Sequence, residues 1–595
     1  MRRFVVHALA LVAIAAPSGL KLAADATQAG TVAGTVVDAQ SAGRPVTRAW
    51  VTLRDEDQGV GRTTLADDEG RFSFTGLPPG RYVLAASKAA YVTTEYGARV
   101  PGRAGTPIAM EADGRGEDLV LVMPRGGVLE GTLRDTAGEP ASGLPLALLE
   151  WKFERGRRRL VENRNVTVLR ERVVTDDRGM FRFFGLPPGD YVIAAEPPRT
   201  GRTTLRSMTD EDIGRAERLL SGQTDTTGRA IAPPPGRGGA RGRGATLSYA
   251  RVYYPGTAAP GDALPVSLGL SEERTGLDFG LALVPAMPLT VTLAGLPPGA
   301  GETSTLSVTL QDVASGRSSG RGGRGGTLTF PNVAPGRYRV SARYYERTPD
   351  ARIDPDGDRY WAVQPITVTG TTPPPVTLTL EPDIAIATTV TFEGSPDTPR
   401  PARTTVWMRP DPDTEDTGVR ETTAVPDDAG GSRLRAPPGR YYLSVQMFEN
   451  DGRPSTQWAL DTLTADGAEL AADTLTIAPG AAPRLSVVLT DRPTVLTGVM
   501  QNAGGQPAPD YFVVAFSPDR DRWTWQSRAI QAVRPDTDGR FVIRGMPPGD
   551  YLLAAMTSLD DGEWYDPALL EQLAAAAVPV ALSAGATTTQ DIRVR

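Results

Sequence analysis

One stretch recurs along the chain and limits what the chain can fold into. It first runs Asp67-Asp68-Glu69-Gly70-Arg71-Phe72-Ser73-Phe74-Thr75-Gly76-Leu77-Pro78-Pro79-Gly80-Arg81-Tyr82. It returns from Asp176-Asp177-Arg178-Gly179 to Tyr191, and again from Asp536-Thr537-Asp538-Gly539 to Tyr551. Two worn copies lie between. Gly326-Thr327-Leu328-Thr329-Phe330 leads to Ala334-Pro335-Gly336-Arg337-Tyr338, and Leu434-Arg435-Ala436-Pro437-Pro438-Gly439-Arg440-Tyr441 aligns after a small deletion. Asp-x-x-Gly suits a type I turn closed by a left-handed glycine, and Pro-Pro-Gly a type II turn centred on Pro79 and Gly80. Phe72 and Phe74 alternate with Arg71 and Ser73, and Tyr82, Leu84 and Ala86 alternate with Arg81, Val83 and Ala85. That period of two marks strands with one face on a core. The stretch reads as the middle of a three-stranded antiparallel meander.

Its five tyrosines, Tyr82, Tyr191, Tyr338, Tyr441 and Tyr551, stand 109, 147, 103 and 110 residues apart. At roughly 100 to 150 residues per domain, that spacing makes each copy one module. Three modules share an opening: Gly34-Thr35-Val36 before Gly43-Arg44-Pro45, Gly131-Thr132-Leu133 before Gly138-Glu139-Pro140, and Gly498-Val499-Met500 before Gly505-Gln506-Pro507. A closing alternating strand such as Glu117 to Met123 completes about seven short strands per module, the layout of a Greek-key β-sandwich. The expected class is all-β, a tandem array of about five sandwiches with minor helical insertions. Expected boundaries are 27–125, 126–286 with an insertion near 197–248, 287–381, 382–491 and 492–595.

Residues 1–26 read as a signal peptide: Met1-Arg2-Arg3, an apolar run from Phe4 to Ala16, then the small-x-small site Ala24-Asp25-Ala26. The run is too short for a permanent membrane span, and no later stretch approaches one. The mature chain is expected to be secreted, periplasmic or held at the envelope by partners. Its composition narrows the chemistry. The single histidine, His7, lies in the leader, and there is no cysteine. Disulfides, thiol nucleophiles, Ser-His-Asp triads and the usual zinc sites are therefore excluded from the mature chain. Past Lys21 the lysines are Lys88 and Lys152 alone, which leaves no repeated lysine crosslink. A net charge of −7, with arginines and acids interspersed, argues against a nucleic-acid partner.

The Gly-x-Val opening, Asp-x-x-Gly-x-Phe-x-Phe, Gly-Leu-Pro-Pro-Gly-x-Tyr and the closing strand together resemble the carboxypeptidase regulatory-like domain. That resemblance implies a prealbumin-like (transthyretin-like) sandwich, often classed with carbohydrate-binding-like folds. Modules one, two and five resemble it along their length, modules three and four around Tyr338 and Tyr441. It implies an accessory module. The peptidase domain of metallocarboxypeptidases needs zinc-binding histidines that this chain does not have.

Between and within the modules, Thr209 to Leu220 has the capping and stripe of a short amphipathic helix, and Asp566-Pro567 starts another through Leu569, Leu570 and Leu573. Pro233 to Gly244 and Ser318 to Gly326 read as flexible basic loops. Linkers such as Thr371-Thr372-Pro373-Pro374-Pro375 favour a semi-rigid string.

Asp354 to Asp358 and Asp411 to Asp416 offer oxygens to calcium, but an EF-hand starting at Asp354 would lack its glycine and glutamate, so polar turns are expected. The module aspartates Asp67, Asp176 and Asp536 could act as glycosidase acids, although turn geometry already accounts for one set per repeat. Trp523 and Trp525 fall on one face of an expected strand, with Trp564 nearby, and an exposed indole face stacks well on the apolar face of a sugar. Core or inter-module packing is the alternative for all three. The reading is a non-catalytic exported scaffold without cofactor or metal, binding carbohydrate or another extracellular polymer through Trp523, Trp525 and Trp564. Its rivals are an adhesin-like or spacer stalk with envelope-protein partners and, more distantly, a carboxylate-based hydrolase. Oligomeric state is left open.

Overall fold

The computed structural model describes residues 30–594, except residues 42, 57 and 113 and segments 164–171, 197–204, 207–212, 215–216, 218–245, 298–303, 324–325, 347–356 and 416–418. The expected leader, the Pro233 loop and most of the Asp354 turn lie outside the described residues. So does most of the 209–220 helix, of which residues 213, 214 and 217 are described and helical.

Five sandwiches follow one plan. In the first, Arg71–Leu77 pairs antiparallel with Gly30–Asp38, while Gly80–Ser87 pairs with Trp50–Asp55 in a different sheet. The other four repeat this division. The proline turn therefore carries the chain from one sheet to the facing one, and the expected single-sheet meander does not form. Alternation could not separate the two arrangements, because Phe72 and Phe74 reach the same core as Tyr82 and Leu84 from the opposite wall. Pro78-Pro79 also removes two backbone donors, which suits a crossing between ladders. The closing strand Arg115–Met123 then runs parallel to Gly30–Asp38, completing a Greek-key order, and the first strand of every sandwich has such a parallel partner.

Each crossing is fastened from within. The hydroxyl of Tyr82 donates to the carbonyl of Pro78 at 2.8 Å. Tyr191 does the same to Pro187 at 2.7 Å, Tyr338 to Ala334 at 2.9 Å, Tyr441 to Pro437 at 2.8 Å and Tyr551 to Pro547 at 2.7 Å. All five rings are buried. Burial pushes the phenols up, Tyr338 and Tyr551 to about 12, so they are neutral donors. One bond of this kind contributes about 1 kcal/mol, and burying the ring about 2 kcal/mol more.

The preceding turn is held by its own aspartate. Asp67 Oδ1 accepts from the amides of Glu69 and Arg71, and Asp176 and Asp536 accept from the matching amides. Asp427, in a module whose copy looked worn, accepts in the same way from Ala429 and Gly431. Gly70 has φ 75°, and a Cβ there would stand 2.6 Å from the Val36 carbonyl oxygen, so the turn admits only glycine. In the proline turn the left-handed residue is Gly76 (φ 73°), with Gly185 and Gly545 alike, whereas Gly80 is not left-handed as a type II turn would require.

Two helical or loop readings also resolve. The helix Pro567–Ala574 begins as its sequence indicates, with Asp566 accepting from the Ala568 amide. Ser318–Gly323, expected to be loop, is instead an edge strand paired with Leu306–Gln311. Its bonds are backbone to backbone, so its glycines do not prevent it. Among the described residues no helix is long and apolar enough to cross a membrane.

The sandwiches do not form an open string. Arg528 of the fifth grips Asp473 of the fourth through Nε and Nη2 at 3.1 Å each, and donates to the carbonyls of Leu460 and Asp461. The fifth also meets the first. Arg534 donates to the carbonyls of Gly97 (2.9 Å) and Ala104, Arg81 donates back to the Arg534 carbonyl (2.6 Å), and the Thr537 amide donates to the Pro107 carbonyl. Arg103 and Asp560 form an ion pair beside them. The two ends of the array are thus joined across more than 400 residues of sequence.

Candidate binding face

The three expected tryptophans do not form an exposed face. Trp523 is 8% exposed, its indole N–H donates to the Ser517 carbonyl at 2.6 Å, and its ring meets Phe516 edge-on. Trp525 is half-buried and meets Tyr442 of the fourth sandwich edge-on at 5.4 Å between centroids. Trp564 is half-buried against the cluster of Val514, Phe516 and Leu570. The expected strand is not there either. A 3-10 turn over Arg520–Arg522, capped by Asp519, redirects the chain, and Gln526 follows with φ 62°. Alternation at Trp523 and Trp525 suggested a strand, but the cap residue had already ended it.

Among the described residues the most exposed indole is elsewhere, with Trp151 next at 38%. Trp50 begins the second strand of the first sandwich, where Val51 and Leu53 point to the core and Trp50, Thr52 and Arg54 point out. It is 50% exposed, and its cross-strand partner Leu65 is 48% exposed. One step along the same face, Thr52 and Thr63 are paired with their hydroxyls 3.3 Å apart. An apolar plate beside two hydroxyls matches a sugar ring, which offers a C–H face and a rim of hydroxyls. Alternation along Trp50 to Leu53 already pointed Trp50 outward, and that was the available signal.

The acidic candidates serve structural ends. The turn carboxylates hold backbone amides, as above. Asp411 Oδ1 accepts from the Thr414 amide at 2.7 Å and caps the short helix Pro412–Glu415. Asp383 is pushed up by burial, opposed by Arg343, whose Nη1 lies 3.0 Å from its Oδ1. Burial likewise raises Glu563, which accepts from the amide of Asp560 in its own turn.

Residues 31–111 match the family model of the carboxypeptidase regulatory-like domain, so the first sandwich carries that domain. No curated protein matches the chain. Among solved structures, the chain is similar to the TIE protein of Bacillus anthracis at 11% identity, over 79% of this chain and 75% of that one, with a TM-score of 0.14. The major pilin subunit of Bacillus cereus is 11% identical over 79% of this chain and 99% of its own, with a TM-score of 0.13. The minor pilin of Streptococcus agalactiae is 14% identical over 43% and 97%, with a TM-score of 0.19.

Proposed function

We propose that the chain is an exported, non-catalytic scaffold of five sandwich modules, bounded as the sequence suggests, that holds an extracellular polysaccharide on the outer face of its first module. The observation that carries this reading is the open Trp50 plate with Leu65 beside it and the Thr52 and Thr63 hydroxyls next along. The contact between the first and fifth sandwiches argues against a spacer stalk, since a chain whose ends are joined spans little distance. A hydrolase reading lacks support from the raised carboxylates, because Asp383 is committed to Arg343, and Glu563 and Asp536 to the amides of their own turns.

The test is an array of soluble and cell-wall polysaccharides probed with the intact mature chain and with Trp50→Ala. Saturable binding that Trp50→Ala removes, with circular dichroism unchanged, supports the proposal. A chain that binds no polysaccharide but captures envelope proteins would replace it with the adhesin-like reading. Release of reducing ends from a bound polymer would restore the enzyme.

A further inference from the structure

The outer face that carries Trp50 does not run open to its far end. Side chains alternate along Trp50–Asp55, Gly61–Leu65 and Gly80–Ser87, and the pairing lays the outward ones in rows. Leu65, Trp50 and Ser87 make the first row, Thr63, Thr52 and Ala85 the second, and Gly61, Arg54 and Val83 the third. In the fourth, Arg81 pairs with Ala109, and its Nη2 lies 3.0 Å from Glu56 Oε2. Rows follow one another at about 7 Å, so the fourth stands about 20 Å from Trp50. The fifth sandwich docks on that fourth row. Arg81 donates to the Arg534 carbonyl, the Ala109 amide donates to the Thr537 hydroxyl at 3.3 Å, and Arg534 reaches the carbonyls of Gly97 and Ala104 at the sheet edge. The Arg81 side chain is 18% exposed and Val83 is 8% exposed, although both point away from the core, whereas Trp50 and Arg54 lie open.

We infer that the fifth sandwich is a movable wall of the Trp50 site: docked, it closes the far end of the face, and undocked, it lets a longer stretch of polysaccharide lie along it. This regulation rests on the polysaccharide reading of that face. The contact is built to part, since it is polar. Among the described residues no apolar cluster takes members from both sandwiches, and the bonds across it run mostly to backbone carbonyls. Domains joined in this way move relative to one another, where a shared apolar core would hold them. Uncovering the far rows changes what the face offers. Arg81 gives up the Arg534 carbonyl and has a guanidinium N–H for a sugar hydroxyl, and Val83 adds an apolar surface for a second C–H face. A long ligand therefore favours the undocked chain, and a short one held at Trp50 favours neither state.

The experiment is calorimetric titration of the full mature chain with the disaccharides and hexasaccharides of the cello, malto and chito series, with small-angle scattering on the same samples. The docking is broken from the side of the fifth sandwich, by Arg534→Ala with Asp560→Ala, so that the face itself is untouched. The proposal expects the expanded variant to bind at least one hexasaccharide about fivefold more tightly than the unsubstituted chain, the worth of one more net hydrogen bond, and the matching disaccharide equally. By linkage, a saturating hexasaccharide also expands the unsubstituted chain. Should the double variant misfold by circular dichroism, Thr537→Arg takes its place, setting bulk against Ala109 and a like charge near Arg81. A variant that stays compact, an equal gain for both ligand lengths, or a gain that survives Trp50→Ala would overturn the wall. So would the absence of hexasaccharide binding by either chain. Binding that Trp50→Ala removes, with no gain on expansion, overturns the wall and leaves the polysaccharide reading standing.

Discussion

In the fifth sandwich the outward residues of one central strand are Phe512, Val514 and Phe516, and at the matching places in the first they are Trp50, Thr52 and Arg54. The match follows from the pairing, since Ala515 opposes Leu553 and Leu53 opposes Leu84, each two residues beyond the module tyrosine. Inside, the two are alike. Outside, the fifth is covered by Trp523, Trp564 and the helix Pro567–Ala574, which bury Val514 and Phe516 in an additional apolar cluster, whereas the first leaves Trp50 open. The same strands thus carry a two-sided core in one module and a one-sided core in the other, and three outward side chains mark the difference. A sheet face with three apolar residues in register demands a cover, and one with a lone indole among threonines and an arginine can stay wet.

The comparison can be broken most forcefully at its third position. Phe516→Ala should cost about 3 to 5 kcal/mol, because it empties a fully buried site beneath Trp523, while Arg54→Ala should stay within about 0.5 kcal/mol. Urea unfolding followed by tryptophan fluorescence measures both, and equal effects would mean that the cover adds nothing. Next comes the contact between the two modules. Arg534→Ala removes two charge-assisted bonds to the first sandwich and a cation stacked 5.2 Å from the Phe512 ring, a loss of about 2 to 3 kcal/mol. Small-angle scattering should show a larger radius of gyration, and an unchanged profile would mean that the other contacts hold the ends alone.

A smaller effect is expected at Trp50. Trp50→Ala should weaken polysaccharide binding about tenfold with little change in stability, whereas Phe512→Ala should lower stability by about 2 kcal/mol. The smallest effect lies in the turn aspartates. The Arg71 amide, foremost, holds Asp67 below the ordinary carboxylate value, while burial against the first sandwich raises Asp536. Asp67 thus adds stability above about pH 4, lost as pH falls through its lowered value. Asp536 has the opposite sign: its folded form binds more protons than its unfolded form, so stability falls as pH rises from about 4 through its raised value. Carboxyl-detected NMR titration should find the two carboxyls on opposite sides of the ordinary value, and Asp536→Asn should remove the second slope.

Much of this architecture was legible in the sequence because it is local. Phe72, Phe74, Tyr82 and Leu84 announced their inward face by alternation, and Asp67 and Gly70 announced their turn. The division into two sheets was not, because a residue that faces the core alternates in the same way from either wall. The Asp427 turn went unread since its glycine is doubled and the strand after it carries arginines. The burial of Trp523 was not legible either, for a different reason. Trp523 and Trp525 give the denser signal, but Trp523 is covered with the help of a helix some forty residues away and Trp525 by Tyr442 of the fourth sandwich, neither of which alternation can see.

The bond from each tyrosine to the carbonyl four residues behind it has one more consequence, which concerns copying. A corner that supplies both donor and acceptor from five successive residues asks nothing of the neighbouring module. A duplicated segment brings its own fastener, and the new copy can fold before any contact with the rest of the array exists. The third module has traded Leu-Pro-Pro for Val-Ala-Pro and still closes Tyr338 onto Ala334. A chain assembled this way can lengthen by whole modules and drift elsewhere, with its ends free to find each other afterwards.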